Sequence, residues 1–220
     1  MRLFAYKLVS DTGFAPNPFG QTLTLATCKP QIRRCKGKGD WIAGFTSVSL
    51  TGDPVGEERL IYLMQVAEKL HIGEYFQDSR FQTKIPDMTA KGPEAKAGDN
   101  IYRPCVVGAF ENEHFEQLPN PNHWGDNMPS QDDLKRDISG QYVLVAGEFY
   151  YFGRDALAIP PEYRPAVPRG QSAHGSQTAE AQAHRFIEFV RSQCKPGRNG
   201  VPHTWPNKLP GNKTPCGEHK

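Results

Sequence analysis

The chain of 220 residues is long enough for one large domain, and 37% apolar residues with 21 glycines and 19 prolines predict many loops and few long regular elements. The net charge of +2 excludes an argument for nucleic-acid binding from overall charge, so only local clustering can support one. Five cysteines without a C-x-x-C pair indicate reduced thiols. The sequence has no signal-like segment and no apolar run of roughly 18 residues, which predicts a cytoplasmic protein that has no membrane partner.

The first predicted elements surround a basic stretch. A strand is predicted over 3–9, a loop over 10–20, a second strand from Thr22 that ends before Pro30, and a third that begins at Trp41. Five basic residues within ten positions separate the last two strands: Lys29, Arg33, Arg34, Lys36 and Lys38. This segment beside a tryptophan fits either an anion or nucleotide site or a solvated loop next to the core, and the sequence leaves both interpretations open.

The stretch 57–70 has an ambiguous pattern. Leucine, methionine and alanine side chains recur at helical spacing, and two glutamates at its start suit a helix N-terminus. Residues 60–66 also form a nearly continuous apolar run of strand length. Periodicity alone favours the helix.

The rest of the chain is predicted to hold a few clear elements among loops. Strand character returns near residue 141, and the clearest helix carries an apolar face made by Phe186, Ile187, Phe189 and Val190. The predicted elements in order are a short helix over 72–81, a loop-rich stretch over 82–139, a strand over 141–152, an irregular segment over 157–170 and a helix over 178–193.

Residues that carry chemistry form no standard catalytic motif, and no cofactor is predicted. His114 and His123 lie nine residues apart in a loop with Glu111, Glu113 and Asp126, but this spacing matches no usual ligand pattern. We therefore predict solvated polar residues there and no metal.

Two shorter features leave alternatives open. Cys28 lies beside Lys29, so a positive field would favour its thiolate, although a buried and inert cysteine is the more ordinary interpretation. Asp99 and Asn100 precede Ile101 and Tyr102 in the sequence GDNIY; they either present hydrogen-bonding groups to a ligand or satisfy their own backbone in a turn.

Several stretches together resemble the bacterial and phage family called nucleotide modification associated domain 2. The resemblance covers roughly residues 1–155, and its motifs are specific in combination. It implies a context of DNA base modification and no particular reaction. The stretches that carry it are FAPNPFG (14–20), LTLATCKPQIR (23–33), GDWIAGF (39–45), LIYLMQVAEKLHIGEYFQDSRFQ (60–82), GDNIY (98–102) and VLVAGEFYYFG (143–153).

The order of these elements is also similar to PUA-like barrels such as the ASCH, EVE and YTH domains. This similarity implies an α+β fold, a PUA-like mixed β-barrel with helical and loop-rich additions, and it favours a strand over Leu60–Glu68 against the helical periodicity. We expect three parts: a core over 1–155 with a loop-rich insertion at about 82–140, a C-terminal extension over 156–195, and an extended tail over 196–220.

The resemblance implies, as a first hypothesis, a binding module whose partner is a nucleotide, modified base or nucleic acid. Aromatic rings would stack on a base, and basic side chains would meet phosphate. The candidate ligand-binding residues are Phe14, Asn17, Phe19, Lys29, Arg33, Arg34, Trp41, Asp99, Asn100, Tyr102 and Tyr151.

The alternative hypothesis is a small amidohydrolase-like enzyme that acts on a modified nucleoside or nucleotide. Some ASCH domains resemble enzymes that use a threonine, a lysine and a glutamate. Here Thr27 would be the nucleophile, Lys29 would activate it and Glu68 would shuttle the proton, provided that residues 22–28 and 60–68 form neighbouring strands.

Overall fold

The computed structural model describes residues 1–124 and 128–204 of an α+β protein. Its strands are β1 (Leu3–Lys7), β2 (Thr24–Leu25), β3 (Trp41–Phe45), β4 (Leu60–His71), β5 (Tyr102–Pro104), β6 (Phe115–Gln117), β7 (Tyr142–Tyr151), β8 (Ser176–Thr178) and β9 (Gly197–Arg198). Its α-helices are α1 (Pro30–Cys35), α2 (Val48–Thr51), α3 (Ile72–Gln77), α4 (Pro93–Lys96), α5 (Gln131–Ile138) and α6 (Glu180–Gln193). Short 3-10 helices cover Ser79–Lys84, Asn112–His114, Gly153–Asp155 and Pro161–Tyr163.

A seven-stranded mixed sheet forms the centre of the fold. The strands pair in the order β2-β7-β4-β3-β1-β8, and β9 pairs with β7 outside this path. The β1–β3 and β7–β9 pairs are parallel, and the other pairs of this sheet are antiparallel. In the described ranges the path ends at β2 and β8 without closing on itself, so the structure confirms the α+β class but not the predicted barrel.

The ambiguous stretch is strand β4, so the resemblance predicted it correctly and the helical periodicity was wrong. Leu60 and Leu63 pack in one core cluster, and Ile61, Tyr62 and Met64 pack in another. Both faces of the strand are buried over its first five residues, so apolar side chains follow one another there instead of alternating with polar ones. A run of leucine and methionine under these conditions mimics a helical stripe.

Helix α6 and strand β8 bind the C-terminal part of the described chain to the sheet. Strand β8 extends the sheet at β1, and the buried side chains of Phe186, Ile187 and Val190 on α6 pack against Trp41 and Leu63 in the same core cluster. The predicted helix over 178–193 is therefore confirmed, with its first turn at residue 180.

A second lobe, residues 72–141, lies between β4 and β7 and packs through its own cluster, which includes Ile72, Tyr75, Ile101 and Ile138. The predicted short helix is confirmed as α3, followed by a 3-10 turn over Ser79–Lys84. Strands β5 and β6 form a separate two-stranded sheet here. No helix among the described residues is both long and apolar enough to cross a membrane.

A cysteine, histidine and aspartate cluster as candidate active site

Cys28 lies in a strained turn between β2 and α1. Its φ angle is 54°, and Lys29 follows with a φ of 40°. Few residues other than glycine adopt this left-handed region, and such strain is concentrated at functional sites. Pro30 then begins α1, where its fixed φ suits the first helical position. The predicted basic loop is therefore a short helix preceded by a sharp turn that carries Cys28.

The turn brings Cys28 against two residues that are distant in sequence. Its Sγ lies 3.5 Å from Nε2 of His123, and Nδ1 of His123 lies 3.0 Å from Oδ2 of Asp137. The backbone N–H of Cys28 donates to Oδ1 of Asp137 at 2.7 Å. Relative exposures of 8%, 1% and 0% for the cysteine, histidine and aspartate place the cluster inside the protein, with Cys28 the most exposed of the three residues.

Asp137, on α5, is held as a charged carboxylate. Its Oδ2 also accepts a hydrogen bond of 2.8 Å from the hydroxyl of Tyr102. Burial alone would raise the pKa of Asp137, but the charge and hydrogen bond of His123 and the charges of Arg33 and Arg136 lower it overall. A charged acceptor on Nδ1 fixes the ring orientation and directs Nε2 toward the sulfur.

His123 is favoured in its protonated form. Burial opposes its charge, but the negative charges of Cys28 and Asp137 raise the pKa of His123 to about 10. Arg136, also on α5, places Nη2 3.2 Å from Nε2 of the histidine. The imidazolium lies next to the sulfur and Arg136 lies beside the imidazole, an environment that favours a thiolate.

Cys28, His123 and Asp137 are also close enough together to hold a metal ion, because each offers one ligand atom and these atoms lie within 4.8 Å of one another. The surroundings fit a cation poorly. Arg33 lies 3.7 Å and Arg136 lies 3.8 Å from the Asp137 carboxylate, and both carboxylate oxygens already accept hydrogen bonds. The cluster thus resembles the nucleophile, base and orienting acid of a cysteine enzyme.

Three residues from the sequence-predicted ligand set lie at this cluster. The ring of Phe14 packs edge-on against the imidazole of His123, with centroids 4.8 Å apart, and Tyr102 donates to Asp137. The fully buried side chain of Arg33 donates to the carbonyls of Cys28, Asp137 and Tyr142 at 2.7–2.8 Å. Arg33 therefore stabilises the turn from inside, and its predicted contact with phosphate does not match this position. Arg34, the next residue, is exposed.

Three other predicted ligand residues belong to a buried polar network that joins the second lobe to β2. Asn17 donates to Ala97 O and accepts from Lys84 Nζ, and Asp99 accepts from Thr24 and Tyr75 at 2.7 Å. The side-chain amide of Asn100 donates to backbone carbonyls. These groups satisfy one another within the protein.

The remaining predicted aromatic residues are core residues and do not form a cage. Trp41 is 1% exposed in the cluster under α6. Tyr151 is fully buried and donates to Asp11 at 2.6 Å, and Phe19 is 7% exposed with the Arg198 guanidinium 5.4 Å from its ring centroid.

The predicted threonine, lysine and glutamate do not meet. Strand β7 lies between β2 and β4, so the condition that these two strands are neighbours is not fulfilled. Glu68 forms an exposed bidentate ion pair with Arg80, whereas Thr27 is fully buried. Lys29 Nζ lies 4.7 Å from the centroid of the Tyr6 ring and 3.4 Å from Gln171 Oε1.

The predicted histidine and acid loop separates into two parts. His114 accepts from the backbone amides of Phe110 and Glu111 and caps its own turn. His123 instead enters the buried cluster, so the prediction of a solvated polar residue was wrong for it. Asp126 lies outside the described residues.

The sequence places Cys28 beside a lysine, but no pattern in it connects this thiol with His123 or distinguishes Asp137 from other acidic residues. Their separations of 95 and 109 residues from the cysteine match no short motif. The available signal was local: a cysteine between a strand end and a proline, in a place that then required strained backbone.

A separate cavity of about 530 Å³ lies beside β7 and β9. Its lining includes Gly20, Phe149 and an ion pair of 3.0 Å between Arg198 and Glu94. Cys28, His123 and Asp137 do not line this cavity, so it is not part of the candidate active site.

Comparison with known proteins gives one informative match. Neither the curated proteins nor the solved structures contain a chain similar enough to match this one. The family model described as nucleotide modification associated domain 2 matches residues 1–209 of the 220, well beyond the 1–155 on which the resemblance rested. Because the match spans nearly the entire sequence, the chain belongs to the nucleotide modification associated domain 2 family.

Proposed function

We propose that the protein is an enzyme of nucleotide modification that uses Cys28 as a nucleophile on a nucleotide or modified-base substrate. The observation that supports this proposal best is the alignment of Cys28 Sγ, His123 and Asp137, with contacts of 3.5 Å and 3.0 Å. The family supplies the nucleotide context, and the cluster supplies the chemistry.

The chemistry that suits this arrangement is acyl transfer. The Cys28 thiolate attacks the carbonyl carbon of an amide or ester, and a C–S bond forms while the carbonyl electrons move to oxygen. As the C–N or C–O bond breaks, Nε2–H of His123 gives its proton to the leaving group. Water then attacks the thioester, with His123 as general base, and releases the acid and the thiol. Asp137 balances the imidazolium charge throughout.

The proposal keeps the amidohydrolase-like alternative that the sequence suggested but moves its nucleophile by one residue, from Thr27 to Cys28. The hydroxyl of Thr27 has no hydrogen-bond partner among the described residues that could act as its base, and its proposed glutamate is engaged by Arg80. The new nucleophile has both a base and an orienting acid within contact distance.

A binding module without chemistry is the competing proposal. The exposed Arg34 and Lys38, close to the turn of Cys28, support contact with phosphate groups. Under this proposal Cys28→Ser leaves every activity of the protein intact, because no step depends on sulfur.

Alkylation by iodoacetamide, followed for each cysteine-containing peptide by mass spectrometry, tests whether Cys28 is an activated nucleophile as the enzyme proposal requires. Cys28 is 8% exposed, so an inert thiol there would react more slowly than the exposed Cys35 and Cys105. We expect Cys28 to react faster than both at pH 6 and to lose this advantage in His123→Ala. A Cys28 that reacts no faster than Cys35 would overturn the proposal.

A further inference from the structure

Buried polar atoms without partners occur in the segments that build the candidate active site. Five side-chain nitrogen or oxygen atoms in the described ranges are buried and form no hydrogen bond. Three of them lie on the segments that build the cluster: Thr27 Oγ1, Gln117 Oε1 and Asn122 Nδ2. Such atoms are rare in folded proteins, and each one calls for a water, a ligand or a catalytic role.

All three residues are tied to the catalytic groups. Thr27 immediately precedes Cys28, and Asn122 immediately precedes His123. Gln117 donates through Nε2 to the backbone carbonyl of His123. It also pairs with Tyr102 in the β5–β6 ladder, and paired residues project from the same face of a sheet. Because the hydroxyl of Tyr102 contacts Asp137, this face is directed toward the cluster.

The existing hydrogen bonds fix which atom of each amide lacks a partner. Gln117 gives its nitrogen to a carbonyl, so the remaining atom is an oxygen, which only accepts. The oxygen of Asn122 accepts a hydrogen bond of 2.8 Å from Thr12, so the remaining atom is an NH2 group, which only donates. The hydroxyl of Thr27 serves in either role.

We propose that Thr27, Gln117 and Asn122 recognise an amide unit of the substrate, an N–H beside a C=O, next to Cys28. The inference rests on the proposed function and names its substrate class. The ligand N–H donates to Gln117 Oε1, and the ligand carbonyl accepts from Asn122 Nδ2 and from the Thr27 hydroxyl. A phosphate or carboxylate group has only acceptors and leaves Gln117 unpaired.

Such an amide unit has two sources in a nucleotide. One is the lactam edge of a keto base such as thymine, and the other is an amide substituent on a base. Asn122 is only half-buried and Cys28 is the most exposed residue of the cluster, so a ligand approaches from this side.

A pair of threonines gives a matched test. Thr24 and Thr27 are both fully buried, but only the Thr24 hydroxyl has partners, Asp99 and Tyr75. Thr27→Val removes an unpaired hydroxyl, so we expect a higher melting temperature than that of the wild type and weaker ligand binding. Thr24→Val should lower the melting temperature. A lower melting temperature for Thr27→Val, or unchanged ligand binding, would overturn the role of this residue.

Binding of three probes, measured by isothermal titration calorimetry on the full chain, tests the class and its source. The probes are thymidine 5′-monophosphate, deoxycytidine 5′-monophosphate and N4-acetyl-deoxycytidine 5′-monophosphate. Tighter binding of the thymidine nucleotide than of the cytidine nucleotide, by at least about tenfold, indicates a lactam edge. The same advantage for the acetylated nucleotide indicates an amide substituent.

The variant Asn122→Asp keeps an acceptor for Thr12 and replaces the unpaired donor by an acceptor. We expect it to lose the preference for the amide-bearing probe. Equal binding of all three probes to the wild type, or binding of none, would overturn the inference. This failure is distinct from failure of the enzyme proposal, because alkylation of Cys28 reports on the nucleophile whichever probe binds.

Discussion

The guanidinium of Arg33 donates a hydrogen bond of 2.7 Å to the backbone carbonyl of Cys28. A residue that the basic stretch suggested as a phosphate ligand therefore holds the strained turn of the candidate nucleophile. Its other donors reach Asp137 and Tyr142, so one side chain joins the turn, α5 and the start of β7.

Replacing Arg33 should therefore affect folding more than ligand binding. Arg33→Met removes a buried guanidinium that donates to three carbonyls, of which Asp137 O keeps a hydrogen bond from the backbone of Gly140, and should lower the free energy of unfolding by about 3 kcal/mol or more. Arg34→Met, one position later on the exposed side, should change it by less than about 0.5 kcal/mol. Urea denaturation of the two variants checks this, and equal effects would contradict the buried role.

The pH dependence of Cys28 alkylation should differ from that of an ordinary thiol. An unperturbed cysteine, with a pKa of about 8.5, is less than about 1% thiolate at pH 6. Because the raised pKa of His123, about 10, keeps the imidazolium beside the sulfur, Cys28 should react at a nearly constant rate between pH 6 and 9. Free cysteine, alkylated under the same conditions, should react steeply faster over the same range. A parallel rise for Cys28 and free cysteine would contradict the ion pair.

Stability should also depend on pH through His123. Its pKa is about 10 in the folded protein against an ordinary 6.5, so its contribution is complete below about pH 6.5 and is lost as the pH rises through about 10. His123→Gln should therefore lose less unfolding free energy between pH 7 and 10 than the wild type does. Lys84, whose pKa is lowered to about 8 by burial, acts in the opposite direction but is common to both proteins.

Substitutions of Glu68 and Asp137 distinguish the two versions of the enzyme hypothesis. One version has the threonine, lysine and glutamate as catalytic residues, and the other has the cysteine, histidine and aspartate. Glu68→Gln breaks only an exposed ion pair with Arg80, which is worth about 0–1 kcal/mol, and should leave the reactivity of Cys28 unchanged. Asp137→Asn removes the charge that orients His123 and should remove the fast alkylation at pH 6. Circular dichroism of both variants shows whether they are folded, and loss of reactivity in Glu68→Gln would favour the original threonine, lysine and glutamate set.

Lys84 should be important for docking the second lobe. It is 3% exposed, donates to Asn17 and lies near the buried Asp99, whose pKa is raised by burial. Lys84→Met leaves the buried Asn17 oxygen without its charged donor and Asp99 without a nearby positive charge, and should cost about 1–3 kcal/mol. The exposed Lys91→Met serves as the control, and similar unfolding free energies for the two variants would count against this network.

The sequence predicted β1, β3 and β7 because these strands are rich in apolar and aromatic residues and are bounded by turn residues. It failed at Leu60–His71 on periodicity alone, since burial of both strand faces removes the alternation that identifies a strand. It also failed on closure of the sheet, because which edges pair depends on contacts between distant segments.

The candidate site was harder to predict for a related reason. Aromatic and basic residues such as Trp41 and Arg33 suggested a ligand surface, but composition does not distinguish an exposed ring or charge from a buried one. Cys28, His123 and Asp137 come from three segments, and no spacing rule connects them. Only the docking of residues 72–141 against the turn after β2 brings them together.

Because the three groups belong to segments that meet only by docking, the chemistry of the thiol reports on the mechanics of the fold. If the second lobe detaches while the sheet stays intact, Cys28 loses its ion partners and becomes an ordinary solvent-exposed thiol. The labelling rate at rising denaturant, compared with loss of the sheet, then separates subglobal opening from complete unfolding. The labelling rate of Cys28 thus measures how readily residues 72–141 detach from the sheet.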